Sequence, residues 1–123
     1  MTIIEAINRV DVLKPNTYTQ AAKIKWLSDL DGMIKAEIID THEGGENVIF
    51  KEYTMDTPID TELLVPAPYD SIYLKWLESQ IDYSNAEYGK YNNSSVAYNT
   101  AFSAYERYYN RTNKPIQHKL KFF

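Results

Sequence analysis

Only two side chains in this sequence, His42 and His118, can trade protons near neutral pH. Neither stands with a second histidine, a cysteine or a helically spaced set of carboxylates that would make a metal site. The absence of cysteine excludes a thiolate metal site and a disulfide framework. His42 falls near the expected end of a helix, where a histidine at the surface offsets the helix dipole. Glu43-Gly44-Gly45-Glu46 has the glycines of a phosphate-binding loop, but the flanking acids would repel phosphate, so the pair reads as a helix stop. Asn92-Asn93-Ser94, Asn93-Ser94-Ser95 and Asn110-Arg111-Thr112 match the glycosylation sequon, and with no signal peptide expected the matches are read as chance. With no catalytic constellation in the spacing, the expectation is a protein without enzymatic activity, cofactor or metal.

What the sequence does offer is separated charge. Between Glu37 and Asp70 nine acidic residues stand against Lys51 alone, whereas Arg107 to Phe123 holds five basic residues and no acid. Residues 1–106 thus carry 8 basic against 17 acidic residues, a balance of −9 within a total of −4. A solvated charge run is the plain reading of each segment, and docking between oppositely charged surfaces is the functional one. The candidate partner-binding residues are therefore Glu46, Glu52, Asp56, Asp60 and Glu62 in the acidic excursion. In the tail they are Lys114, His118, Lys119, Leu120, Lys121, Phe122 and Phe123, where charge and apolar side chains alternate. Five basic charges over the last 17 residues are too few to argue for DNA binding alone.

The elements that position these charges are helical. With 4 glycines and 5 prolines in 123 residues, a many-stranded fold is disfavoured and one domain is expected. Thr2-Ile3-Ile4-Glu5 fits a capping box, and Ile3, Ile4, Ile7, Val10 and Leu13 follow as an apolar face until Pro15. A second helix starts at Thr17 or Thr19 and keeps its period through Leu27, Leu30, Ile34 and Ile38 to about Thr41. A third runs over 68–85, apolar on nearly every side. A fourth runs to Thr112 on a stripe of Tyr88, Tyr91, Ser95, Tyr98, Phe102, Tyr105 and Tyr109, straight through the poor helix formers Asn92 to Ser95. The stripe and the third helix are expected to form the core, closed by Leu27, Leu30 and Ile34. The acidic stretch 43–68 is expected to project as a loosely packed arm. The fold class is thus mainly all-α, a four-helix bundle-like single domain with a long acidic loop or small β-hairpin between the second and third helices. Residues 1–112 form the helical domain and 113–123 an extended tail. No basic region precedes an apolar run at the start and no segment reaches membrane-spanning length, so a soluble, unprocessed protein is expected.

Several phrases together carry a resemblance: Ile24-Lys25-Trp26-Leu27-Ser28 with Leu30-Asp31-Gly32, Asp40-Thr41-His42-Glu43-Gly44, and Thr61-Glu62-Leu63-Leu64-Val65-Pro66-Ala67-Pro68-Tyr69-Asp70. Ile81-Asp82-Tyr83, Tyr91-Asn92-Asn93-Ser94 and Tyr108-Tyr109-Asn110-Arg111-Thr112 complete the set. The chain resembles, over nearly its whole length, the head-tail connector (adaptor) proteins of tailed phages and prophages of Gram-positive bacteria. It departs at Ala86, where a glycine is expected between the last two helices. The resemblance implies a homo-oligomeric ring in the virion neck, made in the host bacterial cytoplasm. Such a ring joins the portal protein to a stopper or tail-completion protein, and DNA passes through it without sequence-specific contact. No membrane is involved. The alternative class is a small phage or host regulatory protein-binding module, whose tail adds to a partner's sheet edge.

Overall fold

The computed structural model describes residues 1–117, and within them the chain is mainly helical. Helix α1 spans Ile3–Leu13. Its capping box forms as the sequence dictates: the Glu5 amide donates to Thr2 Oγ1 at 3.2 Å and the Thr2 amide to Glu5 Oε1 at 3.1 Å. Helix α2 spans Gln20–Glu37, with Thr19 Oγ1 accepting from the Ala22 amide at 3.1 Å. It passes through Ile38 into a 3₁₀ turn at Ile39–Thr41, so the regular helix stops short of the glycine pair. Gly44 takes φ 83°, and a Cβ on Gly45 would collide with the Ile39 carbonyl oxygen, so the pair makes the turn instead of capping α2. After a cis Ala67–Pro68 peptide and a 3₁₀ turn at Tyr69–Ser71, helix α3 spans Ile72–Ser84. Helix α4, Tyr88–Thr112, is continuous through Asn92 to Ser95.

The core differs from the expected one. Ile3, Ala6, Ile7 and Val10 of α1 are buried with Ile24, Leu27, Leu30 and Ile34 of α2 and Ile72, Tyr73, Leu77 and Ile81 of α3. Helix α3 packs against all three other helices. From α4 only Tyr105 is fully buried, while Tyr98, Phe102, Tyr108 and Tyr109 are half-buried and Tyr88 is exposed. The physical reason is the phenol tip: a tyrosine stripe gains most when its rings pack and its hydroxyls reach water. The ring contacts follow this, with Tyr69 on Tyr108 at 4.6 Å, Trp76 on Tyr98 at 4.8 Å and Tyr83 on Tyr91 at 5.2 Å between centroids. The α1–α2–α3 junction is the centre and the tyrosines form a layer over it. Leu13 is exposed rather than part of the α1 face.

The acidic stretch is neither a hairpin nor a projecting arm. Apart from a 3₁₀ turn at Gly45–Asn47 it is irregular, and its backbone is stitched to the body. The Ile3 amide donates to the Thr61 carbonyl at 3.0 Å, the Ile4 amide to Ile59 at 2.9 Å and the Leu63 amide to Met1 at 3.0 Å. The first two bonds consume amide donors that α1 leaves free at its first turn, which is what draws the stretch onto the helix start. Its own Tyr53, Leu63 and Val65 are buried. Among the described residues there is no named strand, only isolated bridges at Thr2–Glu62 and His42–Pro115. The second bridge changes the start of the tail. The Glu43 amide donates to the Lys114 carbonyl at 2.8 Å and the Ile116 amide to the Thr41 carbonyl at 2.9 Å, so residues 114–116 lie against the body.

Between α3 and α4 the chain turns on Ala86 at φ 56°, the left-handed region that disfavours a side chain. Ala86→Gly is expected to raise stability by about 0.5–1 kcal/mol, the relief of strain exceeding the added unfolded-state freedom, as read by chemical denaturation.

Candidate functional site

The structure brings some of the candidate acids together. Glu52, Asp56 and Glu62 line one groove of about 540 Å³ with Phe50, Tyr53 and Leu64, whereas Glu46 sits in the Gly45–Asn47 turn and neither it nor Asp60 joins that lining. All five carboxylates are exposed. Glu62 is partly committed, because the Met1 ammonium lies 3.2 Å from its Oε2 and 3.7 Å from Asp70 Oδ2. Lys114 is exposed, with its carbonyl holding Glu43. His118, Lys119, Leu120, Lys121, Phe122 and Phe123 lie outside the described residues.

The groove is held in place by a carboxylate that the sequence reading passed over. Asp31, wholly buried on α2, accepts from Tyr73 Oη at 2.6 Å through Oδ1. Through Oδ2 it accepts from Tyr53 Oη at 2.5 Å and the Leu64 amide at 3.0 Å. Tyr73 Oη in turn accepts from the Val65 amide at 2.7 Å, and Ser28 Oγ accepts from the Tyr53 amide at 3.0 Å. Burial pushes the Asp31 carboxyl above the ordinary carboxylate value, against the three donors that favour its charge. The Tyr53 and Tyr73 phenols are pushed up as well, first by burial and then by the Asp31 charge. The signal was present in the period: Leu27, Leu30, Asp31 and Ile34 stand at i, i+3, i+4 and i+7, which puts an acid on the core face.

Further polar contacts tie the helices to one another. Lys14 Nζ lies 2.5 Å from Asp82 Oδ1 at the end of α3, while Oδ2 of that buried acid has no partner among the described residues. Lys23, buried on α2, reaches Asp11 Oδ1 at 2.7 Å. His42 is not the surface dipole group expected of it. It is buried, with Nδ1 2.5 Å from the Ile38 carbonyl oxygen, Nε2 2.7 Å from the Asn110 amide group and its ring edge-on to Tyr109 at 4.8 Å. The Gly44-Gly45 turn folds it under the end of α4, and there it ties α2 to α4 rather than facing solvent.

The outer face of α4 is a second surface. Tyr91 to Tyr105 contains no charged residue, and its exposed positions are Asn92, Asn93, Val96, Asn99, Thr100 and Ser103, followed by Arg107 and Arg111. Among the described residues no group of three or more His, Cys, Asp or Glu could hold a metal ion, and no helix is long and apolar enough to cross a membrane. Compared with known proteins, the chain matches no family model, no curated protein and no solved structure. What the arrangement presents is two surfaces, an acidic groove held by a buried hydrogen-bonded acid and a neutral helix face ending in arginines.

Asp31→Ala is expected to lower stability by at least about 3 kcal/mol, since it strands two phenols and one amide in the interior. Limited proteolysis should then cut first between residues 53 and 65. Alkaline titration gives an independent check. Burial pushes Tyr98 up to about 12 from an ordinary value of 10.0, and Tyr53, Tyr73 and Tyr105 rise for the same leading reason. A phenol raised in the folded state contributes stability that is present below its unfolded value and lost as pH climbs through the folded one. The 295 nm absorbance of Tyr53, Tyr73, Tyr98 and Tyr105 should therefore appear only together with loss of helical circular dichroism.

Proposed function

We propose that this chain is a structural assembly protein, an adaptor of the tailed-phage neck that acts by joining copies of itself in a ring between portal and stopper or tail-completion protein. DNA passes through that ring without sequence-specific contact. The observation that carries the reading is the outer face of α4. A helix kept in water normally shows charge on its outward side, whereas here four turns are neutral and small, the composition of a surface that another protein covers. The two charged surfaces support it. Acids on the 43–62 stretch and Arg107, Arg111 and Lys114 near the end of α4 are unlike patches on one subunit, as heterologous ring contacts require. The resemblance of the sequence phrases to connector proteins supports the choice of the phage neck.

The test uses Val96, 64% exposed on the neutral face. Val96→Lys is expected to leave the melting temperature unchanged while preventing the protein from adding to tail-less, DNA-filled heads, read by co-sedimentation and negative-stain microscopy. If the variant joins heads as well as the parent, α4 is not the assembly face. If the parent itself does not bind heads at any concentration, the regulatory-module reading takes over.

A further inference from the structure

The acidic groove combines two features that suit one kind of side chain. Phe50 and Tyr53, edge-on to each other at 5.3 Å between centroids, give it an aromatic wall, and Glu52, Asp56 and Glu62 line it against Lys51 alone. Glu62 is engaged by the Met1 ammonium, whereas Glu52 and Asp56 are exposed and have no ion-pair partner among the described residues. Ile49, 82% exposed, leaves apolar surface open in the same lining. Rings beside unpaired carboxylates favour a guanidinium over an ammonium. Its planar face stacks on an aromatic ring and its fork of N–H donors takes carboxylate oxygens in pairs, while an ammonium is a strongly hydrated point charge.

The chain carries three arginines. Arg9 pairs with Glu5 at 3.6 Å, whereas Arg107 and Arg111 are exposed and have no ion-pair partner among the described residues. The two stand about one turn apart at the end of the neutral α4 face. Arg107 lines a separate hollow with Val96, Asn99, Thr100 and Ser103, so within one copy these arginines do not enter the acidic groove. We propose that the acidic groove is a guanidinium-binding site and that its occupant is the Arg107–Arg111 end of α4 from a second copy of this chain. The choice of a second copy rests on the ring proposed above, and the contact gives that ring its joint, with each α4 end seated beside Glu52 and Asp56 of the next subunit. Groove and arginines are unlike surfaces, so the contact repeats head to tail until the ring closes.

The test is self-association of the full chain, followed by sedimentation velocity up to millimolar concentration, which needs neither heads nor portal. The parent is expected to associate, and less so as salt rises. Arg107→Glu/Arg111→Glu and Glu52→Arg/Asp56→Arg, all at exposed positions, should each weaken association by at least about tenfold. An equimolar mixture of the two should recover it, since the reversed groove of one chain meets the reversed helix end of the other. Arg107→Lys/Arg111→Lys keeps the charge without the planar fork and should stay weakened. A parent that remains monomeric throughout overturns the proposal and leaves the groove to another protein's arginines. It is equally overturned by a mixture that fails to recover although both variants keep the parent's circular dichroism, or by a lysine variant that associates as tightly as the parent. If a reversed variant loses its helical signal, the lysine variant carries the test. Association through these residues by a protein that joins no heads removes the neck reading and leaves this contact standing, whereas heads joined by the reversed variants as well as by the parent remove the contact alone.

Discussion

A carboxylate carried into a protein interior has to be met by donors or it destabilises the fold, and Asp31 is met from both sides of the acidic stretch and from α3. Tyr53 and Leu64 come from the stretch and Tyr73 from α3, so one side chain of α2 fixes the mutual placement of two helices and a long irregular segment. The Val65 amide adds a fourth bond through the Tyr73 hydroxyl. Such a network specifies one arrangement, because each donor is satisfied only when all three segments are in register. The consequence is that a segment with no regular secondary structure presents its outer carboxylates from a defined backbone.

What was legible in the sequence was local. The Thr2–Glu5 cap depends on residues three apart, and the α4 period runs straight through Asn92 to Ser95 because helical spacing on a packed face outweighs weak intrinsic propensity. The exposure of Glu46, Glu52, Asp56 and Asp60 was legible for the same reason, since an acid without a partner stays in water. What was not legible depends on distant partners. Nothing near Thr61 announces that its carbonyl meets Ile3, and nothing near His42 announces Asn110. Asp31 is the intermediate case: its position on the core face could be read from the period, but its donors, 22 to 42 residues away, could not.

The tyrosine layer shows how a small domain can attach a 25-residue helix without a large apolar seam. Ring against ring, α4 sits on α3 and on Tyr69, with Tyr105 its one fully buried side chain and Tyr98, Phe102, Tyr108 and Tyr109 half-buried. This mode of attachment leaves the opposite side of α4 unconstrained by the fold, so its neutrality between Tyr91 and Tyr105 is not a by-product of packing.

The pairing of Lys114 and Ile116 with Glu43 and Thr41 also has a mechanical meaning. Residues 114–116 lie beside the junction of α2 and the acidic stretch, although in sequence they follow directly on α4. Tension applied to the C-terminus would therefore enter the domain at Thr41 to Glu43, next to the buried His42, before it reached the end of α4. Two backbone bonds are few beside those of the helices behind them, so they would act as a weak link that yields while the helices keep their shape.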